Sequence, residues 1–308
     1  MKCTLALITL LLSTSLVFSL CANAAEYFLP ANKGRLIGEN KTVIVANDGR
    51  PLEAIAAKYQ IGLLAMLEAN PNTDPYLPEP KSQLIIPSQM LLPDTPHQGI
   101  IINLAELRLY YYPPDEKKVM VYPIGIGQRG RSTPIMITSV SQKIPNPTWT
   151  PTANIRKRYL AEGKTLPAVV PAGAKNPMGL FALRLADGRG EYLIHGTNAN
   201  FGIGLRVSSG CIRLRPNDIE ALFHTVSEGT RVQIINQPIK FSIEPDSKRY
   251  IEVHQPLSLV DSDDPQTMPI TLSHSVQLFI SDQQTDRKIA DKEIARRSGM
   301  PVVVNRTE

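Results

Sequence analysis

At 308 residues the chain is long enough for two or three domains, and 43 % hydrophobic residues suffice for a packed core, so a disordered polymer is excluded. The formal net charge of +5 is spread along the chain rather than gathered in a basic block. That distribution argues against nucleic acid as a partner and suits a substrate rich in carboxylates.

The first residues read as an export signal. Lys2 supplies a positive start, Leu5 to Leu20 is an apolar run broken only by Ser and Thr, and Ala22-Asn23-Ala24 is a small-x-small cleavage site. Residues 1–24 are therefore expected to be a cleaved signal peptide, and no later segment is apolar enough for a membrane span. Cys21 follows Leu20 rather than Gly or Ala, so lipidation there is not expected. Removal of the signal takes Cys3 and Cys21 with it and leaves Cys211 alone. Exported proteins usually hold cysteines in pairs, so a single thiol is either an inert packing residue or a reactive group.

Residues 41–92 form a first unit. Thr42-Val43-Ile44-Val45 predicts a strand, and Asp48-Gly49-Arg50-Pro51 a turn. Leu52, Ile55, Ala56 and Tyr59 make one helical stripe. A second short helix carries Leu63, Leu64, Met66 and Leu67 and stops at Asn70-Pro71-Asn72, where proline forbids continuation. Leu84-Ile85-Ile86 closes the unit as a strand. Gly49, Leu52-x-x-Ile55-Ala56, Asn70-Pro71-Asn72 and Leu84-x-Ile86-Pro87 resemble a LysM module, a fold that binds glycans containing N-acetylglucosamine. Arg50-Pro51 departs from that pattern, which usually has Asp-Thr or Asp-Ser after the glycine.

From residue 98 to 237 the chain turns to short β-rich runs, among them Ile100 to Leu104, Arg108 to Tyr112 and Lys118 to Ile124. Frequent Gly, Pro and Asn turns predict a mainly β sandwich or barrel-like sheet. A polar, proline-rich stretch from Ser141 to Ala174 interrupts it, and Leu180 to Leu185 resumes it. One helix is predicted near Asp218 to Val226, capped by Asn217, before a last strand over Val232 to Ile235. Residues 238–308 read as a less patterned C-terminal extension, with a helix expected over Asp282 to Arg297. His97, His224, His254 and His274 read as surface or structural residues.

Chemistry concentrates between Tyr192 and Leu214. His195 ends a predicted strand, Cys211 follows Ser208-Ser209-Gly210, and the intervening glycine-rich loop can fold back to bring the two together. An ordinary thiol with pKa of about 8.5 is only a few per cent thiolate at neutral pH, and an adjacent imidazole can take its proton. The amides of Gly210 and Cys211 are candidates for an oxyanion hole, and Arg213 for holding a substrate carboxylate. Tyr192 and Trp149 are candidates for lining a groove. From the residues alone, each of these groups reads as well structurally as catalytically.

His-Gly followed, after a spacer, by Ser-x-Gly-Cys-hydrophobic-Arg resembles the signature of the YkuD-type L,D-transpeptidases. Pro123-Ile124-Gly125-Ile126-Gly127-Gln128 and Pro147-Thr148-Trp149-Thr150-Pro151-Thr152 are similar to runs in the ErfK/YbiS/YcfS/YnhG group of Gram-negative enzymes. The resemblance implies a YkuD-like β-sandwich with Cys211 as nucleophile, His195 as base and the Gly196 carbonyl orienting the imidazole. Arg213 and Ser208 match the family's turn, whereas Ser209 stands where many members have histidine, which implies an altered acceptor preference. A periplasmic enzyme is implied, with no metal and no organic cofactor. It would cleave the diaminopimelate–D-Ala bond of peptidoglycan tetrapeptide stems and pass the acyl group to an amine. The C-terminal Lys of murein lipoprotein is the first such acceptor. A diaminopimelate amine giving a 3→3 cross-link, water, or no catalysis at all in a glycan-binding LysM protein are the alternatives.

Overall fold

The structure is a computed structural model that describes residues 24–31, 34–187, 192–199 and 201–306. The expected signal peptide lies outside the described residues, apart from Ala24.

Strand β1 (Ala25–Phe28) joins the main sheet described below, and β2 (Leu36–Ile37) starts the N-terminal unit. There β3 (Lys41–Ile44), α1 (Leu52–Lys58), α2 (Leu63–Ala69) and β4 (Gln83–Ile86) follow one another, and β3 pairs antiparallel with β4. α1 begins behind Pro51, whose extended backbone supplies the N-cap, and buries Leu52 and Ala56 at i, i+4. α2 ends at Asn70, whose side chain accepts from Ile85 N–H at 2.7 Å and donates to Ile85 O at 2.8 Å. That amide pins the helix end to β4 where Pro71 stops the helix. β5 (Met90–Leu91) pairs with β2 and carries the chain onto the main sheet.

The central unit opens with the meander β6 (Gly99–Asn103), β7 (Arg108–Tyr112) and β8 (Lys118–Pro123), then the short β9 (Ile126–Gly127). β10 (Met136–Pro145), α3 (Ala153–Ala161), β11 (Phe181–Leu185), β12 (Leu193–His195), β13 (Arg206–Ser208) and β14 (Ile212–Arg213) lead to α4 (Pro216–Thr225) and β15 (Arg231–Ile235). Nine strands form one sheet in the order β1-β8-β7-β6-β15-β10-β11-β12-β14, and β9 pairs separately with β13. The far edge returns to the beginning: Gly125 N–H donates to Arg213 O at 2.9 Å and Arg213 N–H to Gly125 O at 2.8 Å. The sheet thus curls around a core that holds Ile100, Leu109, Tyr122, Ile194 and Ile212 together, with Ile219 and Leu222 of α4 closing it. Each such side chain stabilises the fold by about 1.5–3 kcal/mol on full burial. β6 and β7 are buried on both faces because Ile37, Met90 and Leu92 cover Ile101 and Tyr110 from outside. This is why their sequences run apolar without alternation.

The Ser141–Ala174 stretch carries structure of its own, since it contains the end of β10 and the whole of α3. One expectation is corrected here. Helix α4 is capped by the backbone of Arg215 with Pro216 at its first position, and not by Asn217.

The C-terminal extension, less patterned in sequence, forms a compact unit. β16 (Ile239–Ile243), β17 (Arg249–Val253), α5 (His274–Ser281), α6 (Arg287–Arg296) and β18 (Val302–Val303) give a three-stranded antiparallel sheet, and both helices pack on it. Ser273 and Asp286 accept from the first free amides of α5 and α6. The expected helix over Asp282 to Arg297 starts five residues later, because Asp286 is its cap.

A buried ion cluster fastens the three units. Glu106 and Arg108 come from the central unit, Lys240, Glu252 and His254 from the C-terminal unit, and Glu68 from α2. Lys240 Nζ lies 2.9 Å from Glu106 and 3.0 Å from Glu252, and Arg108 Nη1 lies 3.1 and 3.2 Å from the same two carboxylates. His254 bridges Glu68 at 2.9 Å and Glu252 at 2.7 Å. Glu106, Glu252 and His254 stand close enough to bracket a metal ion, but Lys240 and Arg108 already supply the positive charge there. No helix among the described residues is long and apolar enough to cross a membrane.

Candidate active site

Strands β12 and β14 run parallel, with Ile194 opposite Ile212 and His195 opposite Arg213. Ile194 and Ile212 both point into the core. Side chains alternate along a strand, so His195, Arg213 and, by continuation, Leu193 and Cys211 take the opposite face. The register therefore brings the two ends of the His195–Cys211 segment together at the curled edge of the sheet.

His195 is 5 % exposed, and its Nδ1 lies 2.6 Å from Gly196 O. A carbonyl can only accept, so Nδ1 carries the proton and Nε2 is left as the basic nitrogen. Burial and the positive charge of Arg213 pull the imidazole pKa down to about 4, against the opposing pull of the Gly196 and Met178 carbonyls. Burial likewise pushes the Cys211 thiol above its ordinary range, partly offset by the Leu193 backbone and by Arg213. Both shifts favour the uncharged forms, a thiol at Cys211 and a neutral imidazole at His195.

The turn before the cysteine is braced from several sides. Ser208 is buried; its hydroxyl donates to Cys211 O at 2.5 Å and accepts from Gly210 N–H at 3.2 Å. The Gly210 amide, expected as an oxyanion donor, is thus engaged by Ser208 in this structure. Gly210 has φ +111°, and a Cβ there would stand 3.1 Å from the ring of Tyr192, so glycine is required. Thr133 Oγ1 donates to Gly210 O at 2.8 Å, and Arg131 Nη1 donates to Ser209 Oγ at 3.2 Å. Arg213 is half-buried, and its Nε has no hydrogen-bond partner among the described residues.

Tyr192, His195, Gly196, Ser208, Ser209, Gly210, Cys211 and Arg213 are gathered at the ends of β12, β13 and β14. The segment containing α3 also reaches this region. Tyr159 of α3 interacts electrostatically with Arg213, and buried Asn176 donates to Pro147 O at 2.7 Å while accepting from Met178 N–H at 2.9 Å. Trp149 pairs with Val170 across the insertion. Sequence reasoning missed Arg131, Thr133, Tyr159 and Met178, because each acts through a long-range contact or its backbone. Of the other histidines, His97 stacks on Tyr112 and His224 meets Phe181 and Phe223 edge-on.

Residues 97–234 match the L,D-transpeptidase catalytic domain family, YkuD, and residues 238–304 match the L,D-transpeptidase C-terminal domain. The chain is 58 % identical over 296 residues to "Probable L,D-transpeptidase YcfS" of Escherichia coli strain K12, covering 96 % of this chain and 92 % of that one. It is 52 % identical over 292 residues to "Probable L,D-transpeptidase YbiS" of the same strain, covering 94 % of each. The solved catalytic domain of the Enterococcus faecium L,D-transpeptidase is 20 % identical, with a TM-score of 0.33, covering 46 % of this chain and 100 % of that one. The family match and the likeness to these two relatives define an enzyme of the transferase class. The chain belongs to the L,D-transpeptidase family and is an enzyme.

Proposed function

We propose that the protein is exported to the periplasm and there transfers peptidoglycan tetrapeptide stems through a thioester on Cys211. The observation that carries this reading is the register of β12 against β14, which sets Cys211, His195 and Arg213 on one face at a single edge. In the first half-reaction the Cys211 sulfur bonds to the carbonyl carbon at the L-centre of diaminopimelate. The C–N bond to D-alanine breaks, and the thiol proton passes through His195 Nε2 to the departing amine. The Cys211 amide stabilises the oxyanion, joined by the Gly210 amide once it turns from Ser208. Arg213 Nε, which has no hydrogen-bond partner among the described residues, and the ring of Tyr192 take the substrate's carboxylate and apolar parts. In the second half-reaction an amine attacks the thioester, the C–S bond breaks and the proton returns to sulfur.

The acceptor we favour is the side-chain amine of the C-terminal Lys of murein lipoprotein, which the motif resemblance to the ErfK/YbiS/YcfS/YnhG group implies. Residues 41–92 would serve as a LysM-like module holding the glycan, residues 98–237 as the catalytic domain and residues 238–308 as an extension that braces both. Incubating the mature protein with a disaccharide-tetrapeptide and equal amounts of a lysyl-ended lipoprotein peptide and free diaminopimelate tests the acceptor. The lysyl conjugate should dominate the products. A 3→3 product or simple hydrolysis in its place rejects lipoprotein anchoring, and failure of the full chain to sediment with isolated sacculi rejects the glycan-holding role.

A further inference from the structure

The segment joining His195 to Cys211 is held from outside the catalytic sheet. Residues 202–205 lie in that segment, and the N-terminus of α2 rests on them. Leu63 N–H donates to Ile203 O at 3.5 Å and Leu64 N–H to Gly204 O at 3.2 Å. The cap position of α2 is Gly62, which has no side chain to accept from the first amides, so these two carbonyls take that part. The backbones approach so closely that a Cβ on Gly204 (φ +81°) would stand 2.2 Å from Leu63 N, and one on Gly62 3.0 Å from Gly204 Cα. Arg215, buried just beyond the cysteine motif, adds a second tie: it donates to Ile61 O at 2.8 Å and to Gln60 Oε1 at 3.2 Å.

The same loop is bound on its other side to the chain that holds the reactive residues. Gly204 N–H donates to Ile124 O at 2.9 Å, and Ile126 N–H donates to Leu205 O at 3.1 Å. Between Ile124 and Ile126 sits Gly125, which pairs in both directions with Arg213. A shift of α2 is therefore passed through backbone hydrogen bonds to the strand that follows Cys211. A loop containing Gly196, Gly202 and Gly204 has many conformations of its own, and docking on α2 selects one.

We infer that α2 is a positioning element for the catalytic loop. Gly62, Leu63 and Leu64 fix residues 202–205 and thereby the placement of Cys211 relative to His195, so the N-terminal unit acts on the chemical step and not solely on substrate retention. The inference rests on Cys211 being the nucleophile.

The test uses the full mature chain. Gly62→Ala forces the two backbones apart, Arg215→Gln removes the second tie, Arg215→Lys restores its charge, and Lys248→Ala is a control at an exposed position of the C-terminal unit. Two rates are measured: acyl-enzyme formation against donor concentration, and alkylation of Cys211 by iodoacetamide against pH. Gly62→Ala and Arg215→Gln should lower the maximal acylation rate about tenfold or more, since small misplacements of reacting groups are costly. Half-saturation should stay within about twofold, the alkylation profile should shift, Arg215→Lys should recover part of the rate, and Lys248→Ala should match wild type. Wild-type maximal rates per folded molecule in both variants, or a loss confined to half-saturation, overturn the inference. If Gly62→Ala does not fold, Leu63→Pro carries the same expectation, because it removes one donor at a position that tolerates proline. Wild-type protein that forms no acyl-enzyme refutes the thioester assignment instead, and the alkylation profile then decides the role of α2 alone.

Discussion

His195 and Cys211 are both pushed toward their neutral forms, and this sets how the site should respond to pH. The imidazole, held near pKa 4, stays unprotonated far below the ordinary histidine value, so the acid limb of kcat/KM should fall near pH 4 and not near 6.5. The raised thiol predicts iodoacetamide alkylation that climbs steadily through the alkaline range. A flat plateau of reactivity at neutral pH would instead reveal a thiolate–imidazolium pair. The same histidine affects stability with a definite sign. Its folded pKa lies below the unfolded value, so acid favours the unfolded chain. Wild type should lose about 3 kcal/mol as pH falls from about 6.5 to 4, a loss that His195→Gln should not show in urea titrations. At this scale the sequence was highly legible for the pair itself, because a lone thiol, a strand-ending histidine and a glycine turn form a local pattern. Their protonation states were not legible. They depend on burial and on Arg213 across the β12–β14 pair, neither of which local spacing reveals.

Among the elements, the strands of the meander and the two helices of the N-terminal unit followed from apolar periodicity and proline stops. The proline-rich insertion did not. α3 is largely exposed and polar, with Ile155 its one buried residue, so no apolar stripe announces it. Besides the Trp149–Val170 pairing, that insertion is held by Asn176, a buried amide that donates to Pro147 O and Pro171 O and accepts from Met178 N–H. Asn176→Ala leaves those groups without a partner and should cost about 1–3 kcal/mol in urea unfolding. Because Met178 O faces His195, the variant should also slow acylation more than its stability loss explains. Unchanged stability would show that the insertion is held elsewhere.

For the molecule as a whole, the C-terminal unit and α2 meet the catalytic sheet through buried charges. Glu68, Glu106 and Glu252 face Arg108, Lys240 and His254, so the charges balance when His254 is protonated. Glu68 and Glu252 raise its pKa to about 9 in spite of the opposing effect of burial. Here the folded pKa lies above the unfolded one, so this contribution is fully present below about pH 6.5 and is lost as pH rises toward 9. The Tm of wild type should drop across that interval, whereas His254→Gln should start lower and vary less. Removing Glu252 takes a carboxylate from Arg108, Lys240 and His254 and leaves one buried positive charge uncompensated, so Glu252→Ala should destabilise by about 3–5 kcal/mol. None of this cluster was legible in the sequence. Its members lie up to 186 residues apart, and a histidine two residues after a buried glutamate at the end of β17 looks like any other.

The most direct measurement is the intact mass of the purified mature protein after incubation with a disaccharide-tetrapeptide, beside Cys211→Ala. The proposed thioester predicts an adduct equal to the substrate minus D-alanine on wild type, discharged by an added amine and absent from the variant. An unmodified wild-type mass with no D-alanine released, under conditions in which an active relative is acylated, would contradict it.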